Sequence, residues 1–112
     1  MNFPKFEIYK GHDDQFYFRL YAANGQNILG SQGYTTKANC QKGIESVKSN
    51  AGDAANFEVQ KAADGRFHFH LLAANKLVIG TSQMYASKQK CEQGIHSVQT
   101  NAAQAPVEDS TI

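Results

Sequence analysis

Residues 6–51 read FEIYKGHDDQFYFRLYAANGQNILGSQGYTTKANCQKGIESVKSNA, and residues 57–102 read FEVQKAADGRFHFHLLAANKLVIGTSQMYASKQKCEQGIHSVQTNA. The second segment aligns with the first at a constant offset of 51 without a gap, and 22 of the 46 aligned positions are identical. Self-similarity at a fixed spacing marks a structural unit that is repeated. The chain therefore contains one unit twice, and the fold is predicted from that unit.

Each unit begins with two segments in which apolar and polar residues alternate, over 6–9 and 16–22 in the first copy. A period of two with many aromatic residues predicts half-buried strands. The turn between them holds Gly11–Asp14 in the first copy and Asp64-Gly65 in the second. These residues favour a tight hairpin that contains a positive φ.

A second hairpin follows, because Asn24-Gly25 precedes the apolar pair Ile28-Leu29. We expect a third strand there. In the second copy Asn75-Lys76 replaces Asn24-Gly25, and the asparagine is expected to take the left-handed conformation, which it tolerates better than most residues.

The end of each unit has helical periodicity. Thr36 and Ser87 stand where N-caps are expected, with oxygens able to accept from first-turn amides. Gly43 and Gly94 fall in mid-helix, where glycine costs about 1 kcal/mol relative to alanine, so a close approach of helix to sheet is predicted. The apolar residues form one narrow stripe per helix: Cys40, Ile44, Val47 and Ala51, and Cys91, Ile95, Val98 and Ala102.

One βββα unit of this size buries too little surface to be stable alone, so the two copies should share one core. The predicted fold is α+β, with one mostly antiparallel sheet, both helices on one face, and an approximate two-fold axis. The other face would be open to water. We expect a single domain over 1–112, with repeat one at 6–51, repeat two at 57–102 and a flexible tail at 103–112.

Composition narrows the function only slightly. Eleven basic against ten acidic residues give a net charge of +1, which provides no strong field for nucleic acid or an anionic membrane. No signal peptide and no apolar run of about 18 residues is visible, so a cytoplasmic protein with no membrane contact is expected. A monomer is expected because the tandem copy supplies its own second half.

A long spaced pattern occurs in both copies. It runs from Asn24 to Ala51 and from Asn75 to Ala102, and it resembles the signature of the YegP-like family of small uncharacterised bacterial proteins. The resemblance implies a βββα unit that assembles in pairs, here within one duplicated chain. Lys76 and Met84 depart from the pattern where the first copy has glycine. The family has no established activity, so the resemblance implies no catalytic residue, cofactor or partner.

Two residue types could carry metal or thiol chemistry. Cys40 and Cys91 lie on the apolar stripes of their helices, so buried, unreactive thiols are expected. His68 and His70 lie on one face of a strand, but a structural zinc site needs about two more ligands, and none is visible in the sequence. We expect neither a metal nor a cofactor.

A first candidate site lies where strand meets helix. It could attract an anion, because a helix N-terminus has free amides. It lacks an oxyanion loop and an orienting group, so catalysis is not expected. Capping, turn hydrogen bonds and aromatic packing are the simpler roles for its residues, Ser31, Tyr34, Lys37, Ser82, Tyr85 and Lys88.

The second candidate is the open sheet face. Its aromatic and basic side chains could contact a protein or small ligand, or stack on single-stranded nucleic acid, or simply pair across a solvated sheet. The near-neutral charge disfavours nucleic acid. We therefore expect a non-enzymatic interaction protein, with single-strand nucleic-acid binding as the alternative, through Tyr17, Arg19, Tyr21, His68, His70 and Leu72.

Overall fold

The computed structural model describes residues 3–112, which form one seven-stranded sheet and two α-helices. Short 3-10 turns follow each helix, at Ala54–Asn56 and Ala102–Gln104. The helices are α1 (Lys37–Asn50) and α2 (Lys88–Asn101). The strands are β1 (Lys5–Lys10), β2 (Phe16–Tyr21), β3 (Asn27–Gly30), β4 (Phe57–Lys61), β5 (Phe67–Leu72), β6 (Val78–Thr81) and β7 (Val107–Asp109).

The strand order is β4-β5-β6-β3-β2-β1-β7, and every pair is antiparallel except β1 with β7. The two repeats meet at the centre, where Gly30 of β3 pairs with Thr81 of β6. These residues are equivalent at the offset of 51, and a residue that pairs with its own counterpart is the mark of a two-fold axis. The predicted α+β fold with one shared sheet is confirmed.

The core lies between the sheet and the two helices. Side chains from both repeats form one buried cluster, which confirms that the copies share a core. Burying each large apolar side chain contributes about 1.5 to 3 kcal/mol. Fully buried members include Phe18, Leu20, Cys40 and Val47 of repeat one, and Phe69, Leu71, Cys91 and Val98 of repeat two.

The predicted helix caps are confirmed. Thr36 Oγ1 accepts from the Asn39 amide at 3.1 Å, and Ser87 Oγ accepts from the Lys90 amide at 3.2 Å. Gly43 is needed because a β-carbon there would overlap Tyr34 Oη and lie 3.0 Å from the Phe18 ring. Gly94 has the same relation to Tyr85. The close approach that the mid-helix glycines predict is thus made with a tyrosine ring that lies between sheet and helix.

The two hairpin turns of each repeat have positive φ at equivalent places. In the second hairpins φ is 83° at Gly25 and 70° at Lys76. The expectation that Asn75 would take the left-handed conformation is therefore wrong. Asn75 instead uses its side-chain oxygen to accept from the Leu77 amide at 3.1 Å, which fixes the turn from one residue earlier.

The predicted flexible tail at 103–112 also differs from the structure. Ala105 is buried, and β7 pairs parallel to β1. The Phe6 amide donates to the Pro106 carbonyl at 2.8 Å, and the Ser110 amide donates to the Ile8 carbonyl at 2.9 Å. Residues 105–110 therefore extend the sheet instead of fraying. Within residues 3–112, no helix is long and apolar enough to cross a membrane.

Candidate functional site

The sheet register places two of the predicted surface residues, Arg19 and His70, in one row across the sheet. The row crosses the two-fold axis at Gly30 and Thr81, so Arg19 and His70 occupy equivalent places in the two halves. Glu7 and Glu58 are equivalent in the same way, one strand further out. From edge to edge the row reads Glu108, Glu7, Arg19, Gly30, Thr81, His70 and Glu58.

In the repeat-one half, the charged groups are paired with one another. Arg19 Nε lies 2.9 Å from Glu7 Oε1, and its guanidinium lies 4.0 Å from the Tyr9 ring centre. Tyr21 Oη and Ser110 Oγ also donate to the Glu7 carboxylate, at 3.2 and 2.7 Å. Partial burial acts to raise the pKa of Glu7, but the bonds from Ser110 and Arg19 outweigh it and the pKa is lowered. The Arg19 cation is therefore held by its own chain.

Tyr17, the third predicted surface residue of repeat one, also contacts neighbouring side chains. Tyr17 Oη donates to Asp13 Oδ2 at 2.6 Å, and the Tyr17 ring stacks on Tyr9 with centroids 5.6 Å apart. The hydrogen bond to Asp13 raises the pKa of Tyr17. This half presents a cross-strand network that satisfies itself, as expected of a solvated sheet.

The repeat-two half differs. The rings of His68 and His70 meet edge to face with centroids 5.0 Å apart, and His70 Nδ1 lies 3.0 Å from Thr81 Oγ1. Burial lowers the pKa of His70, and the neighbouring His68 adds to this, so the neutral imidazole is favoured. His68 Nδ1 is buried and has no hydrogen-bond partner among the described residues. A buried nitrogen without a hydrogen-bond partner is uncommon in folded proteins.

Apolar surface lies beside the histidines. Leu72 is half-buried and pairs with Val78, which is 37% exposed, and Leu77 next to it is 64% exposed. The counterparts in repeat one are Tyr21, Asn27 and Gln26. Sequence reasoning missed Val78 and Leu77, although the change from a polar pair to an apolar pair between the copies was a visible signal. We call His68, His70, Leu72 and Val78 the repeat-two patch.

The strand-to-helix candidates have structural roles in the fold. Ser31 Oγ accepts from the Phe18 amide at 2.9 Å and donates to the Gln32 carbonyl at 2.9 Å. Ser82 Oγ repeats both bonds with Phe69 and Gln83, at 2.9 and 2.8 Å. Both serine hydroxyls therefore tie a strand to the loop after it, and neither is free to act as a nucleophile.

The tyrosines and lysines of that set do not converge on one point. The Tyr34 ring stacks on Phe18 with centroids 6.3 Å apart, and Tyr85 stacks on Phe69 at 6.4 Å. Burial raises the pKa of both phenols. Lys37 Nζ pairs with Asp109 at 2.8 Å, whereas Lys88 is exposed. Lys88 is therefore the lysine of this set that no described carboxylate pairs with.

Both cysteine side chains are fully buried, as predicted. Burial raises the pKa of Cys40 to about 11 and also raises that of Cys91. The neutral thiol is therefore the form present, and thiolate chemistry is disfavoured. Among residues 3–112, no three His, Cys, Asp or Glu side chains are placed to hold a metal ion.

A family model described as "Domain of unknown function (DUF1508)" matches residues 12–58 and 62–109. The chain belongs to the DUF1508 family. Each match begins in a turn before β2 or β5 and continues past the helix into the next strand, so the second match includes β7. The resemblance inferred from the repeated pattern is confirmed, and the family unit extends into the segment predicted to be a flexible tail.

Named relatives and solved structures agree. The chain is 48% identical over 106 residues to "UPF0339 protein YegP" of Shigella flexneri, covering 95% of this chain and 96% of the relative. The solution NMR structure of the Escherichia coli protein yegP, described as of unknown function, has a TM-score of 0.90 at 46% identity and covers 95% of this chain and 91% of its own. The UPF0339 protein SO3888 from Shewanella oneidensis has a TM-score of 0.88 at 41% identity, covering 94% and 89%. The names of these relatives state no activity.

Proposed function

We propose that this DUF1508 chain is a non-enzymatic binding module whose open sheet face contacts a protein or small-ligand partner through the repeat-two patch. The observation that carries the proposal is the contrast within one face. Arg19 and the tyrosines of repeat one are paired with their neighbours, whereas the repeat-two patch combines exposed apolar carbon with two histidine rings, and His68 Nδ1 has no hydrogen-bond partner among residues 3–112.

The patch has the composition of a contact surface. Val78 and Leu72 supply apolar area that a partner would remove from water, at roughly 25 cal/mol per Å². His68 and His70 can each donate or accept a hydrogen bond, depending on the tautomer. An apolar centre bordered by a few polar groups that remain to be satisfied is the usual arrangement of a binding site.

The non-enzymatic part of the proposal rests on the state of the reactive groups. Cys40 and Cys91 are buried thiols, and Ser31 and Ser82 are hydrogen-bonded within their own loops. The thiols are inaccessible and the hydroxyls are engaged in hydrogen bonds, so none of the four groups is prepared for attack on a substrate. We further propose a cytoplasmic monomer, because reduced cysteines fit a reducing compartment and the chain pairs its own two repeats.

Single-strand nucleic-acid binding is the weaker candidate. Stacking surfaces exist, but Glu7 neutralises Arg19 and the net charge is only +1. Binding to phosphates requires cations that can exchange with counterions, and it weakens steeply with salt. A filter-binding assay with a mixed-sequence RNA oligonucleotide at low salt is expected to give no salt-sensitive retention.

A matched pair of variants tests the main proposal. Val78→Lys places a charge in the repeat-two patch, and Asn27→Lys places the same charge at the equivalent position of repeat one. The wild type and both variants are immobilised, exposed to the same bacterial lysate, and the retained proteins and small molecules are identified by mass spectrometry. A partner that is lost with Val78→Lys and retained with Asn27→Lys supports the proposal. If no partner distinguishes the two variants, the proposal fails.

A further inference from the structure

The two outer edges of the repeated sheet are not equivalent. The edge of β1 is covered by β7, whereas among residues 3–112 no strand pairs with the outer edge of β4. Chain order explains the difference, because the segment after α2 is free to run beside β1. The segment after α1 has to become β4 itself. The position beside β4 that is equivalent to the position of β7 beside β1 is therefore not filled by any strand among residues 3–112.

The uncovered edge also leaves apolar side chains half-exposed. In repeat one Phe6, Ile8 and Ile44 are at most 1% exposed. Their counterparts Phe57, Val59 and Ile95 are only partly buried. In repeat one, Val107 of β7 and Ile44 of α1 line a cavity of about 240 Å³, so β7 contributes an apolar side chain next to α1. Repeat two has no such contribution beside Ile95.

The way β7 is held shows what this edge recognises. The Ile8 carbonyl accepts from the Ser110 amide at 2.9 Å, and the Phe6 amide donates to the Pro106 carbonyl at 2.8 Å. One side-chain contact reaches across to the helix, where Lys37 Nζ lies 2.8 Å from Asp109 Oδ2. The hydrogen bond from Lys37, together with those from Thr111, lowers the pKa of the Asp109 carboxyl to about 2. On the face that meets the helix, the docked pattern is therefore an apolar residue followed two positions later by a carboxylate, while Glu108 and Ser110 contact Lys5 and Glu7 of β1 on the other face.

Repeat two keeps the receiving lysine on the helix side, although Asn56 replaces Lys5, which pairs with Glu108 of β7 at 2.8 Å. At the offset of 51, Lys88 stands where Lys37 does, and it is exposed and forms no ion pair with any described residue. Val59 stands where Ile8 does. Backbone groups of successive residues in an antiparallel strand face opposite sides. Because Ile8 bonds to β7 on the side away from β2, the equivalent Val59 faces away from β5. The Phe57 amide is already bonded to Ala54, so Val59 supplies the main backbone contact.

We propose that the β4 edge binds an extended segment of a partner protein, parallel to β4, with a β-branched apolar residue beside Ile95 and a carboxylate two residues later at Lys88. Strand addition of this kind takes its affinity from main-chain hydrogen bonds and its specificity from alternate side chains. The surface is distinct from the open face, and the proposal does not depend on the one made for the repeat-two patch.

The tail of a second copy is a poorer occupant than a separate protein. Moving β7 from β1 of its own chain to β4 of another would uncover one edge while covering the other. The intrachain tail also competes at an effective concentration on the order of millimolar. Glu92 stands one helical turn after Lys88, where repeat one has the neutral Gln41, and its charge weakens the binding of a carboxylate from either occupant.

NMR titration of the full-length labelled protein tests the proposal. The probe is a synthetic peptide with the sequence of residues 104–111, which carries the valine and the aspartate of β7. Amide shifts are expected along β4 and the first turn of α2. Lys88→Ala should weaken binding by about two- to fivefold, the range of an exposed ion pair, and Glu92→Gln should strengthen it by a similar factor. Lys90→Ala, an exposed lysine two residues along the same helix, serves as the matched control and should change nothing.

Three results would overturn the proposal. The first is the absence of any shift at millimolar peptide, and the second is a set of shifts on β1 and β7, which would mean that the peptide displaces the tail. The third is concentration-dependent dimerisation of the full chain in sedimentation experiments, which would make a second copy the occupant. Val78→Lys should bind the peptide like the wild type, so failure here is separable from failure at the repeat-two patch.

Discussion

The two repeats have nearly the same interior and different exteriors. Phe18 and Leu20 recur as Phe69 and Leu71, whereas the alternating outward residues Tyr17 and Arg19 become His68 and His70. The same helix-on-sheet packing has to be built twice, so the inward positions are held by the shape of the core. The outward positions are free of that constraint. Differences between the copies therefore locate the surface where the two halves act differently.

The comparison also shows that equivalent positions are not equally buried. Ile44 is 1% exposed beside β7, and Ile95 is only partly buried beside the uncovered edge. The same side chain thus experiences two environments in one molecule. Substitutions at paired positions separate the effect of the environment from the effect of residue type.

The largest effect is expected for Ile44→Ala. Removing a fully buried isoleucine side chain leaves a cavity and costs about 3 kcal/mol of unfolding free energy. Ile95→Ala removes the same atoms from a half-exposed site and should cost about half as much, because less transfer free energy is lost. Urea unfolding followed by circular dichroism measures both. Equal losses of unfolding free energy would show that Ile95 is as well buried at the β4 edge as Ile44 is beside β7.

A smaller effect is expected where the second hairpin turns differ. Lys76 adopts φ 70° and its counterpart Gly25 adopts φ 83°. A side chain in this region costs on the order of 1 kcal/mol, so Lys76→Gly should stabilise the protein and Gly25→Lys should destabilise it by similar amounts. The double exchange should be close to neutral, since the turns are far apart and independent. Thermal unfolding of the three variants measures whether each is more or less stable than the wild type. A stabilising Gly25→Lys would contradict the argument that a side chain is unfavourable at this positive φ.

Most of the fold could be predicted from the sequence because the repeat doubles each local signal. Caps, hairpins and the helix stripe each occur twice at one spacing. The strand β7 could not be found in the same way, since it has only three residues, two of them acidic, and follows Pro106, which donates no hydrogen bond. Its parallel pairing with β1 depends on the path of the chain after α2, which no local pattern encodes.

The candidate site was predictable only in outline. Alternation places Arg19 and His70 on the open face, but the sequence does not give the register that sets Glu7 beside Arg19 and Thr81 beside His70. Whether a charge is free or paired follows from that register. For the same reason Val78 escaped notice, because its exposure depends on which residue of β5 it faces.

The smallest expected effect is a pH dependence that repeat two has and repeat one lacks at the same place. Burial lowers the pKa of His70 below its ordinary value of 6.5, and His68 on the same strand adds to the shift, while Glu58 across on β4 opposes it. Between the folded and the ordinary value the unfolded chain binds more protons, so stability rises with pH. The contribution is fully present above pH 6.5 and is lost as the pH falls through the folded pKa of His70.

His70→Asn removes this titration while keeping a polar side chain beside Thr81. Urea unfolding of the wild type and the variant, compared between about pH 5 and about pH 7.5, measures the difference in slope. The wild type should lose more stability on acidification than His70→Asn does. The equivalent residue Arg19 keeps its charge throughout this range because, although partial burial acts to lower the pKa of its guanidinium, the hydrogen bond to Glu7 raises that pKa above its ordinary value. An unchanged slope in the variant would place the acid sensitivity elsewhere in the chain and would remove His70 as the group that distinguishes the two halves of the open face.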